Sequence, residues 1–280
     1  MSTARNFRTG LLLLIALGVG ALMLGCRTTS AEAVHVVEVG AGEFTFSAPQ
    51  TIEAGRVTLR LTNYGQELHH AQLIRLNDGV SYDQFATALM EEGEAAVPAM
   101  ATLVGGVGAV SGHGSADVMV DLIPGTYVIA CFVPSGDGQP HFAKGMMAPL
   151  LVTGQAMLSS LPESSGTFTM ADFAFDMPDS LPAGPATYRV VNAGEQPHEL
   201  NLLKLAPGKT LADAQAWEAA PSGPPPYQAV GCINGISPGG EGYMHLNLPP
   251  GDYIAICNIP DPASGQAHSH LGMIKAFTVR

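Results

Sequence analysis

Charge is scarce in this chain: 13% of its 280 residues are Asp, Glu, Lys or Arg, with 12 basic against 24 acidic. A net charge of −12 leaves no basic stripe for a phosphate backbone, which argues against nucleic acid as a partner. Aromatic residues are also few, at 6%, with one Trp. Disorder is nevertheless excluded, because 46% of the residues are hydrophobic. The apolar run "LLLLIALGVGALML", residues 11–24, has 14 positions, short of the roughly 18 or more that a spanning helix needs. Only four cysteines are present, at 26, 131, 232 and 257. What the chain does have is glycine (33) and proline (21), a composition that suits compact β-rich units joined by tight turns.

The first residues read as a leader. Arg5 and Arg8 form a positive segment, and the run at 11–24 has the length of a secretory apolar core. It ends in "MLGC", with Gly25 before Cys26, and this resembles the bacterial lipobox, although Met23 stands where Leu is usual. The resemblance implies a signal peptide over 1–25, lipidation at Cys26 and a polar tether over 26–34. The protein would then be exported and held at the bacterial cell envelope, facing the periplasm or the cell surface, with lipid as its one membrane contact. Removing the leader takes Arg5 and Arg8 but no acids, leaving 10 basic against 24 acidic residues, or −14. That balance suits solubility or a cationic redox partner. With Cys26 used for the anchor, Cys131, Cys232 and Cys257 cannot all be paired within one chain.

The remainder is a tandem repeat. "EFTFSAPQTIEAG" (43–55) matches "DFAFDMPDSLPAG" (172–184), and "NYGQELHHAQLIRL" (63–76) matches "NAGEQPHELNLLKL" (192–205), both 129 positions apart. "LIPGTYVIAC" (122–131) matches "LPPGDYIAIC" (248–257) at 126, and His141 and Met146 match His268 and Met273 at 127. Each unit is the size of a domain, which gives domains over 35–153 and 166–280 with a linker over 154–165.

Within each unit the pattern is that of strands. "VTLRLTN" (57–63) alternates, with Val57, Leu59 and Leu61 on one face. "GTYVIAC" and "GDYIAIC" follow Pro-Gly turns, and the two-residue period puts Tyr127, Ile129 and Cys131 on a shared core face. Short strands, 148–152 and 274–279, close the units. Mid-unit, 81–96 and 210–220 read as helical, with Ser81 and Thr210 as N-caps. The expected fold is all-β: two tandem Greek-key β-sandwiches, each with a short helical insertion.

Soft and borderline metal donors recur in the same order in both units: His69, Cys131, His141 and Met146, then His198, Cys257, His268 and Met273. Two imidazoles, a thiolate and a weak axial thioether form the ligand set of blue copper, since sulfur stabilises Cu(I) and imidazole accepts Cu(II). Taken one at a time, each residue is equally a core side chain. Together, the motifs resemble the cupredoxin family, which includes plastocyanin, azurin and the copper domains of nitrite reductases. "NYGQELH" and "NAGEQPH" match its Asn-x-Gly approach to the first His. "PGTYVIAC" and "PGDYIAIC" match its strand into the ligand Cys, and "HFAKGM" and "HSHLGM" match its His-x4-Met ending.

The resemblance implies up to two type 1 coppers and single-electron transfer, with a redox protein or a copper donor as partner. A copper carrier or store, and a metal-free binding unit of the same fold, are the alternatives. Nine and ten residues separate Cys from His, longer than in small blue-copper proteins but close to nitrite reductase domains; Gly136, Gly138 and Pro140 would let the first loop fold back. No His adjoins Cys131 or Cys257, so the relay to a catalytic copper in multicopper enzymes is missing, and no enzyme activity is expected. His70, His113 and His245 read as solvent-facing, and His270 as a spare imidazole beside His268. Cys232 reads as a free thiol near the second donor set, with a Cys232–Cys257 disulfide as the alternative.

Overall fold

The computed structural model describes Met1 and residues 35–157, 161–220 and 222–280, and all of its strands lie in one unit, Val34–Arg280. Cys26 and the leader lie outside the described residues. Among the described residues, no helix is long and apolar enough to cross a membrane.

The first repeat contributes β1 (His35–Gly42), β2 (Thr45–Ser47), β3 (Thr51–Asn63), β4 (His69–Leu76), β5 (Ala101–Val110), β6 (Ser115–Leu122), β7 (Gly125–Ala130) and β8 (Met147–Met157). The second contributes β9 (Gly166–Ala171), β10 (Ala174–Asp176), β11 (Ser180–Leu181), β12 (Gly184–Asn192), β13 (His198–Leu205), β14 (Tyr227–Ile236), β15 (Glu241–Leu248), β16 (Gly251–Ile256) and β17 (Ile274–Val279). In repeat 1, β3 lies between β1 and β6, while β4 lies between β5 and β7 and β7 pairs with β8. The start of β3 crosses to pair with β8, so one long strand ties the two layers together. Repeat 2 reproduces this with β9, β12 and β15 in one layer and β14, β13, β16 and β17 in the other; there the long strand is broken into β11 and β12. Each repeat is a Greek-key β-sandwich.

The core follows from alternation. Val57, Leu59 and Leu61 are buried as a row, facing Leu73, Val107 and Ile129 across the sandwich. The tyrosines that follow the Pro-Gly turns brace those turns: Tyr127 Oη donates to Ile123 O at 2.9 Å and Tyr253 Oη to Pro249 O at 2.6 Å. The helical insertions form as their caps require. Ser81 and Gln84 build a capping box before α1 (Tyr82–Glu92), and Thr210 and Asp213 build another before α3 (Leu211–Ala219). A further short helix, α2 (Val97–Met100), leads into β5. At the end of repeat 1, β8 runs on through Gly154 (φ 85°) to Met157, four residues past 153, because a bulge lets Met157 pair with Gly55.

The repeats join edge to edge. β14 pairs antiparallel with β5 through Ile233↔Val107, and β15 with β6 through Met244↔Val118. Both are pairs of residues at equivalent places in the two repeats, 126 positions apart, so the repeats are related by a local two-fold axis. Gln72 Nε2 donates to Gly235 O at 3.0 Å, and Asn234 Nδ2 to Val107 O at 3.1 Å. Cys232 fits where Gly108 has no side chain: a Cβ there would lie 1.9 Å from its Sγ.

Candidate metal centres

Each first histidine is placed by the asparagine six residues before it. Asn63 Nδ2 donates to Glu67 O and Val110 O, both at 2.8 Å, and its Oδ1 accepts from Gly65 N–H at 2.8 Å. Asn192 does the same with Gln196 O, Ile236 O and Gly194 N–H. Both asparagines are fully buried, and the loop they fix delivers His69 and His198 to the first positions of β4 and β13. The glycines leave room for an acid from the first hairpin. A Cβ at Gly65 would meet Glu43 Oε2 at 2.5 Å, and one at Gly194 would meet Asp172 Oδ1 at 2.4 Å.

The other donors come from the loop after β7 or β16, which folds back as a hairpin. Pro134 bridges to Pro140 and Pro260 to Ala267. His141 N–H donates to Val133 O and His268 N–H to Ile259 O, each at 2.9 Å. Cys131 N–H reaches Met146 O at 3.2 Å and Met146 N–H reaches His141 O at 3.0 Å; Cys257, Met273 and His268 repeat both contacts. The long Cys-to-His spacing is therefore taken up by a closed excursion.

All six His and Cys donors are fully buried, in the groups His69–Cys131–His141 and His198–Cys257–His268, with ligand atoms within 4.8 Å of one another in each. Nδ1 of His69 lies 3.0 Å from Nδ1 of His141, and Nδ1 of His198 lies 3.1 Å from Nδ1 of His268. The sulfurs of Cys131 and Cys257 lie 3.5 Å from the nearer Nδ1. Met146 and Met273 are fully buried in the same core.

The outer ring nitrogens decide what the inner ones carry. His69 Nε2 faces Glu43 Oε2 at 3.3 Å, His141 Nε2 faces Glu67 Oε2 at 3.0 Å, and His198 Nε2 faces Asp172 Oδ1 at 2.8 Å. A carboxylate only accepts, so each of these Nε2 atoms carries its proton. His268 Nε2 faces Gln196 Oε1 at 3.0 Å, and that amide is oriented by its own Nε2, which donates to Asp261 Oδ1 at 3.0 Å. With a proton on Nε2 of each ring, the two Nδ1 atoms of a pair stand about 3 Å apart and can share one cation between them. The arrangement fits a metal ligated by two Nδ1 atoms, with outward partners fixing tautomer and ring orientation.

Burial opposes protonation of three of these rings. It lowers the pKa values of His141, His198 and His268, although Glu67 or the nearby aspartates pull the other way. Burial also raises the thiols: Cys131 to about 11, and Cys257 further, with Glu199 adding to the rise. Main-chain N–H groups of His70 and Glu199 point at the sulfurs, at 3.4 and 3.5 Å. Phe44 and Phe173 cover His141 and His268 edge-on, with ring centroids at 5.0 and 5.3 Å.

The structure corrects one sequence expectation. His70 does face away from His69, but not into solvent: its Nε2 accepts Phe132 N–H at 2.6 Å, and burial holds its pKa near 3. Glu199 takes the same place in repeat 2, where its Oε1 accepts Asn258 N–H at 3.0 Å and Asn201 Nδ2 at 2.7 Å. His113, 3.1 Å from Gln66 Nε2, is exposed, as are His245 and His270. Among the described residues Cys131, Cys232 and Cys257 are all free thiols, so no Cys232–Cys257 disulfide forms.

No family model and no curated protein matches the chain. Among solved structures it is similar to a sodium-dithionite-reduced auracyanin from Roseiflexus castenholzii, at 21% identity over 42% of this chain and 98% of that one (TM-score 0.30). Auracyanin A of Chloroflexus aurantiacus, described as a "blue" copper protein, is 23% identical over 43% of this chain and all of its own (TM-score 0.31). A multicopper oxidase, 17% identical, covers 88% of this chain and 89% of its own (TM-score 0.26). The strand pairings give each repeat a cupredoxin-like fold, and each repeat carries one His–Cys–His group.

Proposed function

We propose that the protein is an extracytoplasmic electron carrier, anchored by lipid at Cys26, with two domains, 35–153 and 166–280, each holding one type 1 copper. His69, Cys131, His141 and Met146 would hold the first and His198, Cys257, His268 and Met273 the second. The observation that carries this reading is the pair of facing Nδ1 atoms beside a buried sulfur, found twice. Copper at such a site would accept and release single electrons. The protein's part is to hold the donors fixed and dry, so that little rearranges when the charge changes. The Asn63 and Asn192 loops and the closed Cys–His hairpins do that work. A rigid, fully buried cage favours electron transfer over copper delivery, which needs an accessible and yielding site. Neither Cys has a His neighbour that could lead to a catalytic copper, so turnover of oxygen or nitrite is not part of this reading. The acidic surface suits a cationic redox partner, with no role for nucleic acid.

Visible and EPR spectra of the copper-loaded full chain test it. An intense thiolate charge-transfer band is expected, with Cys131→Ser removing one share and Cys257→Ser the rest. Copper bound without a thiolate band would defeat the type 1 reading and favour a carrier; no copper bound would leave a metal-free binding unit. The anchor is tested separately, since Cys26→Ser should release the protein from membranes.

A further inference from the structure

The acids that reach the paired imidazoles correspond between the repeats. Glu43 of repeat 1 is matched by Asp172 of repeat 2, each on the first histidine. Glu67 is matched by Asp261, which acts one bond further out through Gln196. Ser135 holds the place of Asp261 in repeat 1, and its buried Oγ has no hydrogen-bond partner among the described residues. Lys144 and Asp137 pair with each other at 2.8 Å and add no net charge to repeat 1. Glu199 has no acidic counterpart, since it stands where repeat 1 has His70, and Glu94 of repeat 1 lies close enough to act on it.

Both residues grip the Cys loop at the same point. Their main-chain N–H groups face the sulfur, and their side chains accept the N–H of the residue after the cysteine. His70 accepts through Nε2, so that nitrogen carries no proton and the ring is neutral. Glu199 is an acid whose Oε1 accepts two N–H donors, while burial and Glu94 raise its pKa from the ordinary value. Resting on the copper reading above, we propose that Glu199 makes the repeat 2 centre favour a divalent over a monovalent ion, relative to repeat 1. The attraction of a fixed negative charge scales with the charge of the cation, so a nearby carboxylate stabilises a divalent ion more. The two centres then differ in potential, with repeat 2 the harder to reduce.

The test uses the full chain, with Cys131→Ser leaving repeat 2 as the thiolate centre and Cys257→Ser leaving repeat 1. Silver(I) and cobalt(II) are competed at each. The silver-to-cobalt preference should be about tenfold lower in repeat 2. With copper, the same tenfold ratio is a difference of about 59 mV in midpoint potential. Glu199→Gln keeps an Oε1 acceptor for Asn258 and Asn201 and should erase the difference, while His70→Glu should create it in repeat 1. Equal preferences in the two single-centre proteins would overturn the proposal. So would a Glu199→Gln protein that keeps its low preference. If Glu199→Gln fails to fold, the single-centre comparison and His70→Glu decide. A missing thiolate band in both backgrounds would instead remove the copper reading, and this inference with it.

Discussion

Around its paired imidazoles repeat 1 uses two glutamates, Glu43 and Glu67, where repeat 2 uses an aspartate and an amide, Asp172 and Gln196. The inner atoms hardly register the change: the Nδ1 pairs stand at 3.0 and 3.1 Å, and both sulfurs at 3.5 Å. Donor positions are therefore set by what the repeats share, namely the buried asparagine, the glycine that admits the acid and the main-chain hairpin. The outer partners fix which nitrogen carries the proton, and an acid or an amide oxygen can each do so. Where the repeats meet, the lesson reverses. There the sides differ by necessity, because Gly108 of one makes room for Cys232 of the other.

The largest expected effect breaks that second contrast. Gly108→Ala would set its Cβ 2.0 Å from Cys232 Cβ, an atom that no rotamer can move. A loss of about 3 kcal/mol in denaturant unfolding is expected. Cys232→Gly should restore most of it, whereas Cys232→Ala, which keeps the Cβ, should not.

Next come the shared asparagines. Asn63→Ala and Asn192→Ala each strip one buried and one part-buried carbonyl of their donor, and each should cost about 2 kcal/mol. Equal losses would support the same loop lock in both halves. A clear inequality would show that one loop is held by something else.

The smallest effect sharpens the first contrast. Glu67→Gln gives repeat 1 the partner that repeat 2 already has. Copper affinity at repeat 1, measured by chelator competition, should fall less than tenfold, below the usual 10–100-fold for losing an outer partner. A larger fall would mean that the charge of Glu67, and not its oxygen, is what His141 needs.

Much of this was legible in the chain. The strand faces of Val57–Leu61 and Tyr127–Cys131 and both helix caps stand where spacing and cap chemistry put them, and the structure gathers the His and Cys of each repeat into one group. Glu43 and Asp172 were not recognised, because they lie 26 residues before their histidines and meet them only through the β1–β2 and β9–β10 turns. A signal was present: "EFTF" and "DFAF" align, each pairing an acid with a phenylalanine. The acid holds one imidazole and the phenylalanine, at φ 60° or 62°, covers the other. His70 was misread because alternation tells which face a residue takes but not what lies there. That face is covered by the Cys loop, whose N–H needs an acceptor. The seam between repeats was beyond reading, since glycine at 108 has meaning only once position 232 is known to lie against it.

The local two-fold relation between the halves has a consequence for assembly. In a pair of identical chains every residue at such a seam is used twice, so a bulky side chain on one side reappears on the other. Two copies of repeat 2 would set the positions of Cys232 and Asn234 against each other, and two copies of repeat 1 would set glycine against glycine. Joining the halves in one chain lifts that restriction, because each side is written once. The tether also holds the halves at an effective concentration in the millimolar range. The correct pairing is then met first within a molecule, and a neighbouring molecule offers nothing better.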